Sequence, residues 1–151
     1  MKLLVVASVV AASLGAVGCA THGHAEHGAA AHAATAALEG PASRSVEFPG
    51  AVGEGEAREV RVLVDTPALK LVSITLRNGT VLPTHSSTVP VTIQALQGAG
   101  TVVVGAERMR LDGTHAVVLA PGVAHAVEPD VGTHLVVLVH HLGRGAEHHH
   151  H

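Results

Sequence analysis

The side chains of this chain that could do chemistry are mostly histidines. Its 151 residues hold 14 of them beside a single cysteine, Cys19. A neutral imidazole is a good donor to zinc, copper, nickel or iron. His85 lies in LPTHSSTVPVTIQALQG, residues 82–98, where proline, serine and threonine surround it at the start of an apolar strand that closes on Gly98. Other histidines crowd the ends: His22, His24, His27 and His32 in one tract, His148 to His151 in the other. Such tracts can chelate Zn²⁺, Cu²⁺ or Ni²⁺ weakly, and they serve equally as a polar linker and tail. Hydrolytic chemistry has no candidate residues, because neither a nucleophile–base pair nor a close pair of buried carboxylates can be read off the strands.

Composition limits the partners. Nearly half the residues are apolar, yet Phe48 is the only aromatic, so the core must be built from Val, Leu, Ile and Ala. Single-stranded nucleic acid is bound through aromatic platforms and a basic groove, and this chain has the residues for neither. A formal charge of -3 leaves no electrostatic footprint for DNA or for anionic lipid. The expectation is no nucleic-acid partner.

Four segments follow from texture. Residues 1–18 read as a signal peptide: Lys2, an apolar run over 3–12, then small residues before Cys19. Residues 19–45, rich in Ala, Gly and His with no apolar stripe, read as a disordered tether. Residues 46–143 carry the folded domain, and 144–151 form a histidine-rich tail. Cys19 cannot form an intramolecular disulfide, and a free thiol is an oxidation liability in an exported protein. Ala16-Val17-Gly18-Cys19 resembles the lipobox of bacterial lipoproteins, with Ala16 where Leu is usual. That resemblance implies acylation of Cys19 and a membrane partner reached through the N-terminal lipid. It places the protein in the cell envelope on the periplasmic face. Ala20 rather than Asp after the cysteine leans toward the outer membrane over the inner.

Within 46–143, short runs rich in Val, Leu and Thr predict strands at 58–64, 69–77, 90–97, 100–105, 107–111, 115–120 and 133–141. Asn78-Gly79 predicts a tight hairpin turn with positive φ at both positions, and Asp112-Gly113 predicts the same. Nothing in this half has helical spacing. The fold class is all-β: a sandwich, jelly roll or small barrel.

Two motifs then narrow the reading. Gly79, five residues, His85, then a strand closing at Gly98 resembles the first motif of the cupins, and Asp112-Gly113-Thr114 followed by VVLAPGVAHAV resembles the second. The resemblance spans roughly residues 58–141. It implies a cupin-like double-stranded β-helix, a small jelly-roll barrel, and puts His125 on the histidine of the second motif. Cupins commonly hold a divalent metal through three His and one Glu. Here Ser87 stands at the second histidine of motif one and Val91 at the glutamate, so His85 and His125 alone are retained.

Two imidazoles seldom hold a metal tightly, since catalytic sites usually show three protein ligands plus an open position. A third must come from elsewhere. His134 qualifies if its phase, shared with Val136 and Leu138, faces inward; His115, at a strand start, is the other choice. Each reads first as an ordinary strand or turn histidine and only second as a ligand, while Glu128 and Asp130 in the Pro129 turn read as solvated. The metal candidates are thus His85, His125 and His134, with zinc, iron, manganese or nickel as the cation. The functional expectation is a membrane-anchored, non-catalytic module for a small ligand or weakly held divalent metal. A metal-dependent cupin enzyme of dioxygenase or isomerase type is the alternative. Homodimerisation is a further expectation, because cupins are often dimers.

Overall fold

A computed structural model describes residues 40–143. The signal peptide, Cys19, most of the tether and the histidine-rich tail lie outside the described residues. Among the described residues nine strands form two antiparallel sheets: β1 (Arg58–Asp65), β2 (Leu69–Leu76), β3 (Leu82–His85), β4 (Val91–Gln97), β5 (Gly100–Val104), β6 (Glu107–Leu111), β7 (Ala116–Leu119), β8 (His125–Pro129) and β9 (Leu135–Leu142). The five-stranded sheet runs β1-β2-β9-β4-β7 and the four-stranded sheet β3-β8-β5-β6. All seven expected strands are present, within two residues at each end. β3 and β8 are additional: β3 covers the stretch read only as the entry to the strand after His85, and β8 falls in the segment read as a turn. Each is short and contains a proline, Pro83 or Pro129, which demotes a segment in any strand reading. β3 tolerates its proline because it is an edge strand, paired only with β8.

The core lies between the sheets. Leu76, Val91, Ile93, Val102, Leu111, Val117, Leu119, Val127, Leu135, Val137 and Val139 form one buried cluster. No aromatic contributes, so close packing rests on branched aliphatics meeting across the two faces. A second cluster, Val64, Leu71 and Leu138 with Val46, Leu63 and Leu96, lies on the other face of the five-stranded sheet. The arm before β1 reaches that sheet as well. Gln97 Nε2 donates to the carbonyls of Pro49 (3.1 Å) and Gly50 (2.8 Å). Arg77 donates to those of Gly53 (2.9 Å) and Glu56 (2.6 Å). β9 is therefore covered on both faces, with Leu135 to Val139 all buried.

The turn Asn78-Gly79 has the expected dihedrals, φ 52° and 75°, and Thr80 N–H donates to Arg77 O at 2.9 Å. It is not a hairpin, however. β2 and β3 belong to different sheets, so the turn carries the chain across the barrel. Asp112-Gly113 departs further, since Gly113 does not adopt positive φ. The Asp112 carboxylate turns the chain instead, accepting from Thr114 N–H and Oγ1–H at 2.8 Å each. Gly98, the end of the first motif, is required by space: at φ 74°, a Cβ there would overlap the carbonyl oxygen of His134.

Candidate functional site

β3 and β8 bring the two motif histidines together. His85 and His125 are cross-strand partners, and their ring centroids are 4.3 Å apart with the planes tilted by 53°. Forty residues of chain separate them, and only the pairing of these two proline-bearing strands closes that gap. His85 Nδ1 lies 2.8 Å from Pro83 O and His125 Nδ1 lies 2.9 Å from Val123 O. A carbonyl only accepts, so each Nδ1 carries a proton and donates. Each Nε2 is left without a protein hydrogen bond among the described residues. This is the arrangement in which a backbone carbonyl fixes the tautomer of an imidazole and raises the basicity of its other nitrogen. Burial lowers the His125 pKa, the Val123 carbonyl opposes that shift, and the neighbouring His85 ring adds to it. His125, only 3% exposed, is therefore neutral near pH 7.

Both rings line a cavity of about 130 Å³ between the sheets. Its walls are Ile74, Leu82, Val91, Ile93, Val127 and Val139; its polar lining is His85, Ser86, Ser87, His125 and His141. The four positions that the motif comparison singles out, 85, 87, 91 and 125, thus meet in one place. Among the described residues no carboxylate lines the cavity.

His134 is elsewhere. It is exposed, its Nδ1 accepts from Asn78 N–H at 3.1 Å, and it borders a recess with Arg77 and Gly53. The inward phase of β9 is Leu135, Val137 and Val139, the reverse of the expected one. Since β9 is buried on both faces, its sequence shows no alternation that could have fixed the phase. His141 continues the inward phase and does reach the cavity. Its pKa is lowered, chiefly by burial, with the Lys70 ammonium and the His85 and His125 rings contributing and a Lys70 backbone contact opposing. The signal that could have found it is the -HH- at the end of β9: one of two successive histidines must face inward. The other, His140, hydrogen-bonds Thr92 Oγ1 (3.0 Å).

His115 also lies outside the cavity. It is exposed and donates from Nδ1 to Asp112 Oδ1 at 2.8 Å, a contact that with the Thr114 donors holds the Asp112 carboxyl well below its usual range. Glu128 and Asp130 are not merely solvated: Arg108 pairs with Glu128 (2.6 Å) and Arg110 with both oxygens of Asp130 (2.8 and 3.0 Å).

No protein-family model and no curated protein matches the sequence. Solved structures do match. A cupin-family protein from Methanocaldococcus jannaschii, described as a double-stranded β-helix, superposes with a TM-score of 0.57 at 18% identity, covering 70% of this chain and 95% of its own. A cupin superfamily protein from Desulfitobacterium hafniense gives 0.55 at 11% identity, covering 60% and 82%. Salicylate 1,2-dioxygenase from Pseudoaminobacter salicylatoxidans gives 0.51 at 21% identity over 56% of this chain, which spans 26% of that enzyme. The fold is the cupin double-stranded β-helix.

A cupin fold raises the question of a metal, and the residues answer it in part. The three-His, one-Glu set does not fit here, with Ser87 and Val91 at two of its positions. Among the described residues, no three His, Cys, Asp or Glu side chains stand close enough together to hold an ion as they are. Two imidazoles with anchored Nδ1–H groups remain.

Proposed function

We propose that this protein is a lipid-anchored, non-catalytic binding module of the cell envelope. Its cupin barrel takes a small ligand or a weakly held divalent metal at His85 and His125. The observation that carries the reading is the contact between these two rings in a cavity walled largely by aliphatic side chains. Their remaining nitrogens are lone-pair donors, suited to a cation or to a ligand's N–H or O–H group. The volume matches a small occupant, since an engineered apolar cavity of about 150 Å³ accepts benzene. Ser86 and Ser87 add two hydroxyls at the same place. The enzyme reading draws on the dioxygenase that shares the fold, but fold alone does not transfer chemistry, and this cavity lacks a carboxylate ligand. The anchor rests on the sequence around Cys19, and with it the outer-membrane, periplasm-facing location.

Site-resolved NMR of the imidazoles in the full chain tests the cavity. Zn²⁺, and separately imidazole as a small polar probe, should shift the His85 and His125 ring signals, and His125→Ala should abolish the shift at His85. If neither probe moves either signal, the binding reading fails. Cys19→Ser should abolish fatty-acid labelling and release the protein from membranes. A wild type that takes up no label and fractionates as soluble would remove the anchor.

A further inference from the structure

β1 ends the five-stranded sheet, and among the described residues it pairs with β2 alone. Its second backbone edge therefore offers N–H and C=O groups to a further strand. Val60 and Val62 stand opposite Ile74 and Val72, on the face of the sheet that forms the core, yet they are 56% and 50% exposed. The four-stranded sheet does not reach them. On the opposite face Glu59 and Arg61 lie 3.9 Å apart, both about half-exposed. The other sheet ends are blunted: β3 by Pro83, β6 by Glu107, Arg108 and Arg110, β7 by being short. β1 contains neither proline nor lysine. Its irregularity is a bulge between Val62 and Val64, which leaves Arg58–Val62 as a regular ladder.

We propose that this edge takes the β1 of a second copy of the chain, antiparallel, about a two-fold axis at Val60, so that the two five-stranded sheets become one continuous sheet. The sequence of the strand selects that register. Directly opposed residues share a face, so a two-fold seam between identical strands is centred on a residue and never between two. Centred on Val60, it sets Val60 against Val60 and uses the regular stretch Arg58–Val62 from end to end. Glu59 of each copy then stands opposite Arg61 of the other, giving two opposite-charge pairs. Arg58 of the second copy lays its aliphatic stem against Val62. A seam centred on Glu59 or on Arg61 instead sets like charges directly opposite each other, which is destabilising. One centred on Val62 runs into the bulge, where the ladder is interrupted. The edge is thus complementary to itself, in one register, and this is what favours a second copy over an unrelated strand. The seam is short, so the dimer is of the weak, exchanging kind.

The experiment traps the seam by disulfide formation in the full chain, with a chelator present so that the histidine-rich ends cannot be bridged by metal. Cys19 is the only cysteine, so in a Cys19→Ser background Val60→Cys and Val62→Cys each report alone. At the axis the two Val60→Cys positions have Cα atoms about 5 Å apart, within disulfide reach. The two Val62→Cys positions are about 14 Å apart along the strands and out of reach. Mild oxidation should therefore give a covalent dimer from Val60→Cys and little from Val62→Cys. Sedimentation of the wild-type chain should show a dimer growing with concentration. Arg61→Glu, which sets carboxylate against carboxylate twice, should weaken that dimer by about tenfold. Val60→Asp should do so by a second route. Both side chains are exposed, so neither variant should lower the thermal midpoint of the monomer. Equal cross-linking at the two positions overturns the inference. So does a chain that stays monomeric at every concentration, or a dimer that Arg61→Glu and Val60→Asp leave untouched.

Discussion

Arg77 and His125 are 9% and 3% exposed in a barrel made of aliphatic residues, yet they meet very different surroundings. Arg77 donates to the carbonyls of Gly53 and Glu56 and to the carboxylate of Glu59 (2.9 Å). Its charge is matched and three of its N–H groups are used, while Gly55 sits so close that a Cβ would touch the guanidinium. His125 meets one carbonyl and another imidazole, and His141 lines the same cavity. A polar group satisfied inside the protein stabilises the fold. One left with an unused nitrogen beside a cavity costs stability and retains capacity for a ligand. The first site is a clamp for the arm before β1. The second is the site that we propose binds a ligand.

The sharpest way to break this comparison is Arg77→Met. It leaves two arm carbonyls and Glu59 without their donor, and hydrogen bonds to a charged group contribute about 1.5–3 kcal/mol each. Glu59 is half-exposed, so its share is discounted for solvent screening. The expected loss is roughly 3 kcal/mol in urea unfolding, with earlier proteolysis in residues 46–57. A loss under about 1 kcal/mol would show that Arg77 is not a clamp.

The cavity should instead reveal itself through pH. The His125 and His141 pKa values are lowered from 6.5 on folding. The unfolded chain therefore binds more protons than the native one below that value, and stability falls as pH drops. In chelator-treated protein, the thermal midpoint should be level above about pH 7 and decline toward about pH 5. His125→Leu should flatten part of that decline. A midpoint that rises on acidification would contradict the assignment of both rings as neutral.

The smallest effect is that of the same variant at pH 7. Replacing a buried ring that makes a single hydrogen bond, to Val123 O, by a hydrophobe of similar size loses that bond and gains apolar burial, so His125→Leu should change stability by no more than about 1 kcal/mol. A large loss there would make His125 structural and erase the contrast with Arg77.

Much of the barrel was legible from the chain alone. Val- and Thr-rich runs between turn residues located seven strands, Asn78-Gly79 announced its dihedrals, and the two motifs gave the fold and the histidines that meet. These are local properties, written in propensity and in turn chemistry. Three things were not local. The pairing of β3 with β8 was hidden because Pro83 and Pro129 weaken both strands as sequence signals, and an edge position excuses the first. The partners of Asn78-Gly79 depended on which sheet each flanking strand joins. The third histidine depended on the phase of β9, a strand buried on both faces, whose unbroken apolar run carries no mark of inside or outside. The motif resemblance predicted that His85 and His125 come together, and the pairing of β3 with β8 brings their rings to 4.3 Å. Only the register of β9 against β2 and β4 decided that His141, and not His134, lines the cavity with them.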